Sequence, residues 1–388
     1  MRASASITMT MPRVATSQLI VLLSAFSLGC LLTPVALAAQ AVNSAIVAGY
    51  RFTSFDAPGA AGGGLTDPHH MNNGGAITGP YWDLNGVRHG FVRSQDGVIT
   101  SFDPPSSVST DPEGINDSGD VVGFYYDENS ALHGFLRDHK GTITSIDVPF
   151  PGNQGTAAHA INAEGTIQGV YFDGNGNPQT YLRSRAGVFT AINLPGDVFG
   201  AAAHSINNRG AISGFFIDSN SVYQGFLRAA NGLTIPFEAP LAGTGAGQGT
   251  LPTNINQGSH HALNDRGDLT GSTVDANYTG HGFVRTHDGE FASFDLPGAG
   301  VGNYNGTWPS SINSSGTIVG TSFDDSGAGR GFVRYAGGNV VPFDAPGAAL
   351  ALGGTIAYVI NDAGAIAGAW VDTSGILHGF VMTRNGED

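Results

Sequence analysis

The chain has 388 residues with a formal net charge of −15, and 31 acidic residues outnumber 16 basic ones. Lys140 is the sole lysine and no basic stripe is present, so a nucleic-acid partner is excluded on electrostatic grounds. The single cysteine, Cys30, leaves no intrachain disulfide to stabilise the fold.

The first 38 residues read as an export signal. Arg2 and Arg13 form a basic start, Leu19 to Leu32 is an apolar run, and Ala36-Leu37-Ala38 offers a small-residue cleavage site. The run is too short for a confident membrane span, and no later segment is long and apolar enough to be one. A secreted or periplasmic protein is expected. Cys30 follows Ser27-Leu28-Gly29, a poor match to a lipid-acceptor motif, so a lipoprotein anchored through Cys30 is the lesser alternative. Residues 39–49 read as a linker.

From residue 50 to 388 one skeleton recurs seven times. Its anchors are Asn72, Asn116, Asn162, Asn207, Asn264, Asn313 and Asn361. Each is followed by Gly at +3, Gly at +7, Asp at +11 and an aromatic at +19, the aromatics being Phe91, Phe135, Tyr181, Phe226, Phe283, Phe332 and Phe380. Strict spacing of this kind marks a repeat architecture.

Twelve residues beyond an aromatic comes an acidic or amide residue, usually opening a D-x-P-G turn. Six such residues follow an aromatic, and the copy missing from the C-terminal end stands at the N-terminal end as Ser54-Phe55-Asp56-Ala57-Pro58-Gly59. That exchange suits a ring, in which a borrowed strand covers the last exposed edge. The predicted fold is therefore all-β: a seven-bladed β-propeller of four-stranded blades, closed by an N-terminal strand that completes the last blade.

Unit three shows the strands. His159–Asn162, Thr166–Phe172, Gln179–Ser184 and Val188–Leu194 are rich in β-formers and broken by Gly- and Asn-containing turns. The +3 Gly suits a tight hairpin, the +7 Gly the close approach of another backbone, and the +11 Asp an Asx-turn. Seven copies of each argue for structure rather than catalysis. The echo Asn254–Gly258 leaves open whether the long connection of unit five forms strands of its own.

Variation falls between each D-x-P-G turn and the next anchor, so the face carrying these connections is the expected site. The longest, Ala239 to Leu263, contains His260-His261, and the next longest carries Tyr304 and Trp308. Three residues before the anchors stand His69, Glu113, His159, His204, His261, Ser310 and Tyr358. They are expected to ring the mouth of a central channel. His69, Glu113, His159, His204 and His261 form a plausible ligand set for Zn²⁺ or another divalent ion, with Tyr358 as a proton donor. The competing reading makes these histidines blade structure.

A second recurrent histidine precedes the Gly-aromatic pair (His89, His133, His281, His378), with Gln179, Gln224 and Arg330 in the other units. Arg93, Arg137, Arg183, Arg228, Arg285 and Arg334 recur two residues past the aromatic and are expected to pair with acidic neighbours.

The pattern I-N-x-x-G-x-I-x-G, then H-G-F-[LV]-R and a D-x-P-G turn, resembles the bacterial extracellular HAF-type repeat proteins over residues 50 to 388. Unit three departs from it with Gln179-Thr180-Tyr181. The resemblance implies a secreted repeat protein and supplies no catalytic residues. The expected function is an extracellular binding or scaffold module, with carbohydrate or a cell-surface polymer as ligand, Trp308, Tyr304 and Tyr358 at the rim, and a monomeric state. The alternative is a metal-dependent polysaccharide lyase or hydrolase using the histidine cluster.

Overall fold

The computed structural model describes residues 45–194, 200–252 and 261–384. The export segment, Cys30, His260 and the echo at residues 254–258 lie outside the described residues. No helix among the described residues is long and apolar enough to cross a membrane.

Each sequence repeat becomes a set of antiparallel strands. Unit one runs His70–Met71, Ile77–Trp82, Arg88–Arg93 and Ile99–Phe102. Units two and three are likewise four-stranded sheets. Single parallel pairs, Tyr223 with Gly249 and Gly280 with Gly306, join units four, five and six into one longer sheet. Unit seven supplies Thr355–Ile360, Ile366–Val371 and Leu377–Arg384, and the N-terminal strand Tyr50–Phe55 pairs with the last of these. In unit five the first strand is Gly249–Leu251, well ahead of its anchor.

The recurring residues hold the sheets together. All seven +19 aromatics are fully buried. Several meet a phenylalanine on the fourth strand of the preceding unit edge-on: Phe102 with Phe135, Phe237 with Phe283, Phe294 with Phe332 and Phe343 with Phe380, at 5.8 to 6.3 Å. Phe55 of the N-terminal strand makes the same contact with Phe91 of unit one, at 6.1 Å. Such pairs contribute about 0.5–1.5 kcal/mol beyond their burial.

The anchor side chains link unit to unit. Each Oδ1 accepts the backbone N–H four residues on, closing its own turn. Each Nδ2 donates to the carbonyl of the next anchor, and Asn361 donates to Asn72. The +3 glycines between them have positive φ, 77 to 94°, where a side chain is strained.

The seven +11 aspartates form Asx-turns, each Oδ1 accepting N–H groups two and four residues on, as in Asp83 with Asn85 and Val87. The recurrent arginines correct one expectation. Arg93, Arg137, Arg285 and Arg334 lay their guanidinium groups over Phe55, Phe102, Phe237 and Phe294 of the preceding unit, 4.8 to 5.5 Å from the ring centres. They act in cation–π contacts between units.

Candidate functional site

The first strand of a unit carries its special residue on a bulge. In units two, three, four, six and seven the pairing register skips one residue, and these are Glu113, His159, His204, Ser310 and Tyr358. A bulge re-aims one side chain without breaking the sheet, a device common beside functional sites. Those five ring positions are thus structurally equivalent.

Contacts of six of the seven ring-position residues fall in three places. His159 and His204 pack ring against ring at 5.3 Å, and His204 stacks on Phe215. His261 lies 4.1 Å from the ring centre of His70, a buried residue whose Nδ1 accepts the N–H of Ile115. His69, Glu113 and Tyr358 come together with three residues that the anchor-based reading missed: Asp67, Arg88 and Asp111. Among the described residues, His69, Asp111 and Glu113 bring one donor atom each within 4.8 Å of the others, while His159, His204 and His261 meet other rings.

Within that cluster His69 is the centre. Its Nε2 is 3.4 Å from Asp67 Oδ2, and its Nδ1 is 3.6 Å from Asp111 Oδ1 and 3.8 Å from Glu113 Oε2. Arg88 Nη1 donates to Asp111 Oδ2, and the Arg88 guanidinium lies 4.7 Å from the ring centre of Trp82. His69 and Tyr358 meet edge-on at 6.2 Å. Asp111 is 1% exposed and Glu113 4%.

So many charges out of water shift one another. Burial opposes a charge on His69, yet the hydrogen bond to Asp67 and the fields of Asp67, Glu113 and Asp111 outweigh it and raise its pKa to about 9. Burial also opposes the charge on Asp67, which His69 and Tyr358 nonetheless hold below the usual carboxylate range. Burial pushes Asp111 up to about 6, with Arg88 opposing and Glu113 adding. It pushes Glu113 up to about 7 against the pull of His69 and Arg88.

A signal for the missed residues lies in comparing units. Arg88 stands where the other units have Leu132, Pro178, Tyr223, Gly280, Gly329 and Leu377. Asp67 and Asp111, five before their anchors, stand where units three, four, six and seven have Ala157, Ala202, Trp308 and Ile356. Alternation along a strand puts that position on the side of the ring residue two further on.

The expected aromatic rim is also redrawn. Trp308 is fully buried and its Nε1 donates to the Tyr304 carbonyl, so it belongs to the core rather than to a rim. Tyr358 is buried as well, whereas Tyr304 is 40% exposed and packs against Tyr278. Beside the cluster stand half-buried Trp82, Phe124 and Tyr126. Asp111 pairs in register with Phe124.

A separate cavity of about 70 Å³, partly open to solvent, lies at the anchor end of the first strands, lined by the seven anchors and the apolar residue before each. Its lining repeats from unit to unit, unlike the cluster's.

No family model matches the chain, and no curated relative matches it. Among solved structures it is similar to virginiamycin B lyase from Staphylococcus aureus, with a TM-score of 0.54 and 16% identity over 86% of this chain and 99% of that one. It is also similar to a lectin from Burkholderia pseudomallei, with a TM-score of 0.53 and 11% identity over 83% of this chain and 98% of that one. At these identities the likeness bears on fold. The neighbours are β-propellers, and the all-β sheets of this chain follow the same design.

Proposed function

We propose that the chain is an exported, closed seven-bladed β-propeller of the HAF-repeat type that binds a hydroxyl-rich polymer, carbohydrate in class, at one site beside units seven, one and two. Ring closure is supported by the pairing of Tyr50–Phe55 with Leu377–Arg384 and by the Asn361-to-Asn72 hydrogen bond. Export is supported by the N-terminal apolar run.

One observation carries the binding site. Among the described residues, the sevenfold repeat is broken by a cluster that gathers two buried carboxylates, Asp111 and Glu113, with Asp67, His69 and Arg88, and these stand beside half-buried aromatics. Desolvated charges are costly to a fold. Carboxylates and an arginine offer hydrogen bonds to sugar hydroxyls, while Trp82 and Tyr126 offer flat apolar faces to a sugar ring. One of the similar structures is a lectin and another a lyase, so the fold alone selects neither use.

The Asp67–His69 hydrogen bond with Tyr358 favours a second reading, a metal-dependent lyase or hydrolase on the same polymer class. A panel of extracellular polysaccharides separates the two. Saturable binding without chain shortening, weakened roughly tenfold by Trp82→Ala, is expected, tenfold being about 1.4 kcal/mol. Shortened chains in size-exclusion profiles would move the assignment to the enzyme. Binding that survives both Trp82→Ala and Tyr126→Ala would remove the site from this cluster.

A further inference from the structure

We infer that His69, Asp111 and Glu113 bind one first-row divalent cation, of the Mn²⁺ or Zn²⁺ kind, which would present its open positions to the ligand. The inference deepens the binding reading above and rests on the same site.

Ligand geometry is the first support. One donor atom from each of the three residues lies within 4.8 Å of the others. His69 Nδ1 stands 3.6 and 3.8 Å from the two carboxylate oxygens. Ligand atoms about 2.0–2.2 Å from a shared metal sit roughly 2.8–3.6 Å apart, so His69 Nδ1 is within a few tenths of an ångström of ligand spacing to both oxygens.

Unsatisfied atoms are the second and independent support. Asp111 Oδ1 and His69 Nδ1 are buried and make no hydrogen bond among the described residues. Both face the shared space. A buried carboxylate oxygen without a hydrogen bond costs a fold one to several kcal/mol in order of magnitude, and a cation there offsets that cost.

The surrounding residues hold these donors as metal ligands are held. Asp67 Oδ2 lies by His69 Nε2, which fixes the tautomer that leaves Nδ1 a lone pair for a metal. Arg88 occupies Asp111 Oδ2 and so turns Oδ1 toward His69. Charge points the same way. Three carboxylates (Asp67, Asp111 and Glu113) share the space with one guanidinium, and a divalent ion offsets the excess. An imidazole nitrogen suits first-row metals and suits Mg²⁺ and Ca²⁺ poorly, which fixes the class of ion.

The test uses the full mature chain, stripped of metal and titrated with Mn²⁺, with free Mn²⁺ followed by electron paramagnetic resonance. One ion per chain is expected, displaced by Zn²⁺ and not by equal Ca²⁺. Spin-echo spectra of the bound ion should show one imidazole nitrogen. An Asp111→Asn/Glu113→Gln variant should bind about 100-fold more weakly. His159→Ala/His204→Ala should change affinity less than about threefold, because those rings lie outside the ligand set.

Absence of saturable Mn²⁺ binding in the parent would overturn the inference, as would binding retained by the folded Asp111→Asn/Glu113→Gln variant. Should that variant not fold, the spin-echo spectrum of the His159→Ala/His204→Ala protein decides: a nitrogen signal supports the site, and none overturns it. Polysaccharide binding by metal-free protein is measured alongside. Cation binding without any polysaccharide binding would end the binding reading and leave the ion site standing. Polysaccharide binding with no cation uptake would do the reverse.

Discussion

A methyl group placed on Gly214 would lie 2.2 Å from the carbonyl oxygen of Ala202, and its six equivalents are equally confined. The +7 glycine is therefore set by the distance between the first and second strands of a unit, a backbone contact that no rotamer change relieves. Gly214→Ala should destabilise by about 1–3 kcal/mol or more through overpacking. Gly337→Ala is the matched control, since nothing lies within 4 Å of its added carbon. It should stay within roughly 0.5 kcal/mol of the parent. Urea unfolding of both variants checks the pair, and equal effects would refute the contact explanation.

At the scale of the hairpin, four units hold a histidine between two aspartates. His281 Nδ1 is 2.9 Å from Asp295 and its Nε2 is 3.5 Å from Asp275; His89, His133 and His378 repeat the arrangement. Unit six substitutes a bidentate pair, Arg330 with Asp344. The hydrogen bond to Asp295 raises the His281 pKa above 6.5, with burial opposing. The folded protein thus holds this proton more tightly than the unfolded chain does. The stability gained is complete below about pH 6.5 and is lost as pH rises through the higher folded value. His281→Gln should lower Tm by roughly 1–3 °C near pH 6 and by almost nothing near pH 9. Thermal melts at the two pH values test this, and a constant difference would contradict it. The staple also marks how far the sequence could be read. Seven identical spacings exposed the turn aspartates, the hairpin glycines and the strands, because local turn chemistry repeats with the chain. Contacts between units left no such trace: Arg93 over Phe55 and Trp308 in the core follow from how sheets stack. Asp67, Arg88 and Asp111 were hidden differently, since each is an ordinary residue until superposed on the units that lack it.

Whether the units form a ring decides how the whole molecule responds to losing one. In an open stack each repeat touches its two neighbours, so removing an internal copy costs one unit's share of stability. In a ring the remaining units must span the same circle, and a gap exposes the faces that the missing sheet had covered. Residues 163–207 are one exact period, since Asn162 donates to the Asn207 carbonyl 45 residues on. Their deletion leaves Asn162 next to Asn208 and preserves every other repeat. The shortened chain loses Ile167 and Tyr181 from one apolar cluster and Ile192, Leu194, Ala201, Ala203 and Ile206 from another. On the ring reading it also cannot keep both the Asn361-to-Asn72 bond and the pairing of Tyr50–Phe55 with Leu377–Arg384 without reshaping every interface between units. Loss of cooperative melting, or association into larger species on size exclusion, is the expected outcome. A monomer that melts cooperatively with only a proportionate loss of stability would instead identify the chain as an open repeat stack, with the N-terminal strand covering its end.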